Sequence, residues 1–296
     1  MIHTTIGILS PGDMGAGVGA SLKKSGIDTV TFVGNRSLRT RKLAEKAEFR
    51  LLESMETLVR ECDLILSILV PAEAEHLASE VSRAIRATQQ KTFFADCNAI
   101  SPDKSRRIAK LINDSGGQFI DGGIIGGSPA RGDMPRFYVS GPDVKPIMNL
   151  DGKGIMVRHL GDSIGTASGI KMCYAALTKG TNTLQTALLT AAELMGITNE
   201  LRDEFASSQA PTLEQMDSGI FKLPPNSHRW IGEMEEIADT FSNLGITPLF
   251  HQGAAEIYKL LSQTDFAKET PENINSDRTT SETIQAVVSV LNNKKS

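Results

Sequence analysis

The sequence predicts an α/β domain, a parallel sheet covered by helices on both faces, followed by an all-helical domain. Three observations carry this. Short apolar runs alternate with longer amphipathic ones up to about residue 123. A glycine-bearing turn follows the first apolar run and opens a helix. From Ser163 to Met195 the chain then reads as one uninterrupted helical segment without proline.

The expected strands are Thr4–Leu9, Thr29–Val33, Leu64–Ile68, Thr92–Asp96 and Phe119–Asp121. The first three are rich in Ile, Val and Leu with little alternation, the pattern of strands buried on both faces. Helical periodicity covers Met14–Ser25, Leu38–Ala47, Ala72–Ala87 and Asp103–Asn113 between them. Phe137–Ser140 and Ile155–His159 extend the sheet. After the long helix, further helices are expected over Glu200–Asp217, Arg229–Asn243, Gly253–Gln263 and Thr283–Leu291. Gly196-Ile197-Thr198 and Leu223-Pro224-Pro225-Asn226 read as turns. The expected domains are residues 1–162 and 163–296.

Composition narrows the function classes. The 296 residues are 40% hydrophobic and 22% charged, with a formal net charge of −4, and no basic footprint for nucleic acid is present. The longest apolar stretch, around Leu64–Val70, is far shorter than a membrane span. Met1-Ile2-His3-Thr4-Thr5 lacks the basic start of a secretory signal. Cys62, Cys97 and Cys173 are odd in number and scattered, which suggests neither disulfides nor zinc. The five histidines have no metal-ligand spacing. The expectation is a soluble, cytoplasmic protein with no metal and no nucleic-acid or membrane partner.

The first turn reads Ser10-Pro11-Gly12-Asp13-Met14-Gly15. A dinucleotide diphosphate needs backbone N–H groups at a helix N-terminus and no side chain in the way. Gly12 and Gly15 have the spacing of the second and third fingerprint glycines, and Ser10 stands where the first would be. A Rossmann-type domain follows. After the second strand, Asn35-Arg36-Ser37 offers no acid for a ribose 2′-hydroxyl. A guanidinium there suits a 2′-phosphate, so the expected cofactor is NADP(H), with Asn35 and Ser37 as supporting donors. The alternative is that Asn35 or Ser37 caps the next helix and Arg36 is solvated.

Taken together, these residues resemble the β-hydroxyacid dehydrogenase family. Its relatives include 6-phosphogluconate dehydrogenase and 3-hydroxyisobutyrate dehydrogenase, with imine reductases as a divergent branch. Asn35-Arg36-Ser37 matches its NADP-using members, and Val70-Pro71 matches a loop beside the nicotinamide. The resemblance places its D-x-S-T-x-x-P on Asp96–Pro102, where the serine is Asn98 and the threonine Ala99. Its D-A-P-V-S-G-G falls on Asp121–Gly127, where Ile125 replaces a carboxylate-binding serine and Gly126 and Gly127 keep bare backbone. Substrate contacts are therefore implied at Asn98, Gly126 and Gly127.

Gly165–Ala175 matches the segment around the family's catalytic lysine, and Lys171 takes that position. An ammonium in a partly closed site can give and take the proton that accompanies hydride transfer. Tyr174 lies one helical turn on and is a second proton-relay candidate. Thr178 and Asn182 continue that face. Arg229–Glu236 resembles the signature of a smaller C-terminal domain, which makes Trp230 a substrate-pocket candidate, with His228 beside it. The resemblance implies an NADP-dependent oxidoreductase for a small hydroxy acid or related polar carbonyl compound, acting as a homodimer. Imine reduction, or NADP binding without turnover, are the alternatives.

Overall fold

The computed structural model describes residues 4–34, 36–270 and 273–293. The chain divides into two compact units, Met1–Met172 and Cys173–Ser296. Asn35, one of the expected cofactor ligands, lies outside the described residues.

The first unit is one eight-stranded sheet. In chain order its strands are β1 (Thr5–Leu9), β2 (Asp28–Thr31), β3 (Arg50–Leu51), β4 (Leu64–Ser67), β5 (Phe93–Asp96), β6 (Gln118–Ile125), β7 (Arg136–Ser140) and β8 (Met156–His159). Their spatial order is β3-β2-β1-β4-β5-β6-β7-β8. Every pairing is parallel except β6 with β7. Helices α1 (Asp13–Lys24), α2 (Leu38–Lys46), α3 (Met55–Glu61), α4 (Ala74–Thr88), α5 (Pro102–Asn113) and α6 (Lys145–Met148) make the connections.

The central strands are buried on both faces. Leu64 and Leu66 of β4 join the core that contains Ile6, Ile8, Val18 and Phe137. Ile65, between them, joins the opposite core with Leu77, Val81, Phe94 and Ile108. This two-residue period on a continuously apolar strand is what a doubly covered parallel sheet requires. Helix α4 covers its face with Ala74, Leu77, Ala78, Val81 and Ile85 buried at helical spacing. Helix α5 starts at Pro102, with Ser101 Oγ accepting from Lys104 N at 3.4 Å.

Helix α7 runs from Thr166 to Met195, and the division between the units falls inside it. Helices α8 (Thr198–Ser208), α9 (Ala210–Gly219), α10 (Pro224–Asn243), α11 (Leu249–Ser262) and α12 (Thr280–Asn293) complete the second unit. Gly196 closes α7 with a positive φ of 71°, and Ile197 N donates to Ala192 O at 3.0 Å. Two expectations change here. Pro224 and Pro225 open α10 instead of forming a turn, because a helix's first positions need no N–H donor. The single helix expected over Glu200–Asp217 is two, broken at Gln209.

Candidate active site

The carboxyl edge of the parallel strands gathers the site residues of the first unit. Ser10–Gly15 follow β1, Arg36 and Ser37 follow β2, Val70-Pro71 follow β4, Asn98 follows β5, and Gly126-Gly127 follow β6. The strand order reverses between β1 and β4, and ligands of such sheets bind in the crevice at that switch point.

The turn after β1 has the features a diphosphate needs. Gly12 is the N-cap of α1, and no side chain caps the helix. A Cβ on Gly12 would meet nothing nearer than Ser10 O at 3.9 Å, so the backbone there is open to a ligand. Gly15 packs tightly instead, its notional Cβ 3.4 Å from Ile8 Cγ2. Ser10 holds a φ of 56°, the left-handed conformation that favours glycine, and its Oγ is buried with no partner among the described residues. The bare helix N-terminus favours an anion. The residues present therefore fit a nicotinamide dinucleotide.

After β2, Arg36 N donates to Val33 O at 2.7 Å, and Arg41 Nε reaches back to Arg36 O at 3.2 Å. Arg41 also donates to Gly34 O, so a second arginine braces the turn. Ser37 is the N-cap of α2: its Oγ accepts from Thr40 N at 3.2 Å and pairs with Thr40 Oγ1. After β4, Pro71 is buried at the first position of a single 3₁₀ turn, and Val70 is partly exposed beside it.

Asn98 is buried and braced between strand ends. Its Oδ1 accepts from Leu69 N at 2.6 Å and its Nδ2 donates to Ser67 Oγ at 2.8 Å. It thereby ties the end of β5 to the end of β4. Ile125 is buried. Gly126 has a φ of 118°, and the Cβ direction of Gly127 is filled by the Asp133 carboxylate.

Helix α7 is fastened to β6 by a residue that sequence reasoning left without a role. Asp121 is fully buried, and its carboxylate accepts from Gly165 N, Ala167 N and Ser168 N at 2.9, 2.9 and 3.1 Å. Ser105 Oγ, Ser140 Oγ and Ser168 Oγ donate to it as well. An acid at a helix N-terminus satisfies the free N–H groups and complements the dipole. Two residues further along β6, Gly123 lies against α7: a Cβ there would be 2.8 Å from Ala167 O and 2.9 Å from Lys171 Cβ. Lys171 is half-buried, its Cβ beside the strand that leads to Gly126-Gly127.

The candidates of the second unit are differently placed. Tyr174 is 47% exposed. Trp230, on α10, has its ring 5.3 Å from that of Tyr258, and Lys179 Nζ lies 5.6 Å from its centre. Lys179 is paired with buried Glu233, and Tyr258 Oη donates to Lys179 O at 3.2 Å. Burial, then the nearby Glu233 charge, pushes the Tyr258 phenol far up. His228 is exposed on α10, and His251 is buried with its ring 4.8 Å from Phe241, which lowers its pKa by desolvation. Thr178 is exposed, its Oγ1 donating to Tyr174 O.

Residues 5–148 match the NAD binding domain of 6-phosphogluconate dehydrogenase, and residues 192–261 match a domain of unknown function. Residues 5–148 are thus similar to a nicotinamide-dinucleotide-binding domain, and the following relatives share that likeness. An uncharacterised 28.5 kDa protein of Methanothermus fervidus is 26% identical, over 60% of this chain and 67% of its own. The mitochondrial 3-hydroxyisobutyrate dehydrogenase of Drosophila melanogaster is 29% identical over 57% of this chain, a match spanning about half of the fly enzyme (52%). A solved conserved protein of unknown function, described as similar to 3-hydroxyacid dehydrogenases, is 25% identical with a TM-score of 0.65, covering 87% of this chain and 96% of its own. The fold is shared with Mycobacterium tuberculosis 3-hydroxyisobutyrate dehydrogenase (19% identity, TM-score 0.67, 92% and 98% covered). It is shared also with the NADP+ complex of Myxococcus stipitatus imine reductase (19%, 0.55, 87% and 92%). The match over residues 5–148 supports a nicotinamide-dinucleotide-binding domain in the first unit.

Proposed function

We propose that the protein is an NADP-dependent oxidoreductase that interconverts a small hydroxy acid, or a related polar alcohol, with its carbonyl compound. The observation that supports this is the close packing of Gly123 against the Cβ of Lys171, on the strand that leads to Gly126-Gly127. The same sheet edge bears the bare turn at Gly12.

The dinucleotide, when bound, supplies or accepts the hydride. Lys171 Nζ donates a proton to the carbonyl oxygen in reduction and takes it back in oxidation. Its positive charge stabilises negative charge building on that oxygen. Gly12, Met14 and Gly15 offer backbone to the diphosphate. Arg36 pairs with the 2′-phosphate, while Ser37 orders the turn as a helix cap. Val70-Pro71 borders the nicotinamide side, and Asn98 fixes the spacing of the strand ends there. Gly126 and Gly127 offer N–H groups to a substrate oxygen. Trp230 of the helical unit, packed against Tyr258 and Lys179, is a proposed substrate contact.

A second reading, reduction of a C=N bond, draws on the absence of substrate hydroxyls at Asn98 and Ile125. Steady-state oxidation of NADPH with a panel of short carbonyl acids, aldehydes and cyclic imines tests both. Turnover of oxo acids or aldehydes supports the first reading, imine-only turnover supports the second, and tight binding without turnover makes the protein a sensor. The proposed setting is the cytoplasm, where the free thiols Cys62, Cys97 and Cys173 stay reduced. Among the described residues no helix is long and apolar enough to cross a membrane, and no group of metal-ligating side chains is present.

A further inference from the structure

The dinucleotide turn carries an acid. Asp13 is the first residue of α1, directly after Gly12. A carboxylate there suits the helix dipole but opposes the two negative charges of an incoming diphosphate. The fold answers this charge from a distant part of the chain. Arg131 Nη1 lies 2.9 Å from Asp13 Oδ2, and the Asp13 side chain is only 14% exposed. Arg131 ends the short turn Pro129–Arg131 in the β6–β7 connection. The same turn is fixed to α1 a second time, by Ser128 Oγ donating to Asp13 O at 2.9 Å.

This approach depends on a glycine. A Cβ on Gly17, one turn along α1, would fall 2.3 Å from Ser128 Oγ and 3.0 Å from Ala130 N. Ser128 itself is fully buried. The contact is therefore a packed one between α1 and the turn. The residues immediately before Ser128 are Gly126 and Gly127, the substrate glycines of the proposed function.

We propose that Arg131 is a cofactor-positioning residue: it neutralises Asp13 so that the turn accepts the diphosphate, and it clasps the substrate loop to the cofactor helix. This rests on the dinucleotide reading of the Gly12 turn. Because the diphosphate is common to both cofactors, Arg131 governs NADPH and NADH alike, whereas Arg36 would discriminate between them.

The test is a double-mutant cycle read as dissociation constants of NADPH and NADH by isothermal titration calorimetry on the full chain. Arg131→Ala is expected to weaken both about tenfold and leave their ratio unchanged. Asp13→Asn alone is expected to bind both at least as tightly as the wild type. Asp13→Asn combined with Arg131→Ala is expected to return both constants to within about threefold of wild type, because the charge to be neutralised is gone. A wild-type constant in Arg131→Ala overturns the inference, and so does a double variant as weak as the single. Wild-type protein that binds neither dinucleotide overturns the cofactor reading and this inference with it.

Discussion

Gly123 and Lys171 are held so close that a single methyl group on the glycine would stand 2.9 Å from the lysine Cβ. The strand and the helix meet there backbone to backbone, and Asp121 fixes the helix start two residues earlier. Gly123→Ala must push α7 outward, because Ala167 O blocks the same space at 2.8 Å. Overpacking of this kind costs about 1–3 kcal/mol. The expected outcome is a lower melting temperature and a turnover loss of about tenfold or more, with dinucleotide affinity nearly unchanged, since misplacement by about an ångström is costly for chemistry. Equal turnover in Gly123→Ala would show that the lysine's place is not set by this contact.

Asp96 gives the first unit a pH dependence. Its carboxyl is buried, with Oδ1 accepting from Asn98 N and Oδ2 without a partner among the described residues. Burial, with a smaller push from the Asp121 charge, raises it to about 7, against the Asn98 hydrogen bonds that pull it down. The folded protein thus keeps a proton that the unfolded chain releases near pH 3.8. Stability from this group is present in full below that value and is lost as the pH rises towards 7. The expected scale is on the order of 2–4 kcal/mol. Urea midpoints measured from pH 4.5 to 8.5 should fall for the wild type. The margin of Asp96→Asn over the wild type should widen steadily from pH 4.5 to about 7 and then level off.

The sequence is most legible where structure is local. The Gly12 turn declares itself because glycine spacing, strand and helix all lie within a dozen residues. Strand β6 was expected to end at Asp121 but runs on through Gly122 and Gly123 to Ile125. Two glycines hide the apolar pattern, yet they are needed: a Cβ on Gly122 would meet Asp96 O and one on Gly123 would meet α7. Strand β3 is two exposed residues, too short for any periodicity. The Asp121 network was unreadable for another reason. Its donors come from residues 105, 140 and 165–168, which only the folded sheet brings together. The same holds for Asp13 and Arg131.

Cofactor choice turns on Arg36. A charge-assisted contact to the 2′-phosphate contributes about 1.5–3 kcal/mol, or about 10–100-fold in affinity. NADPH should bind more tightly than NADH by that factor, measured by titration of each. Arg36→Ala should remove most of the difference and leave NADH binding within about twofold. Equal wild-type affinities would remove Arg36 from the site.

The outer face of α7 supports a proposed homodimer. Tyr174, Leu177, Thr181, Leu184, Leu188, Ala191 and Met195 follow one another at alternating three- and four-residue steps. That spacing is the seam of packed helices. Here Leu177 is 72% and Leu184 66% exposed. The pattern suits a second copy of the chain. Light scattering at micromolar concentration should give a dimer mass, and Leu177→Glu with Leu184→Glu should shift it to monomer. A monomeric wild type would count against this use of the seam.

The proton assignment separates Lys171 from Tyr174. Lys171 is half-buried beside Gly123, whereas Tyr174 is about half exposed and belongs to that outer seam. A positioned acid–base group contributes about 10²–10⁴-fold. Lys171→Ala and Lys171→Met should therefore both lose turnover by that order while keeping dinucleotide affinity. The methionine keeps the length and removes the charge, so equal losses in the two variants locate the effect at the ammonium. Tyr174→Phe should stay within about threefold of wild-type turnover and act, if anywhere, on the dimer mass. The opposite result, with Tyr174→Phe inactive and Lys171→Ala active, would place the proton on the phenol. The chemistry would then shift from carbonyl reduction towards imine reduction, and the carbonyl and imine arms of the NADPH assay would shift with it.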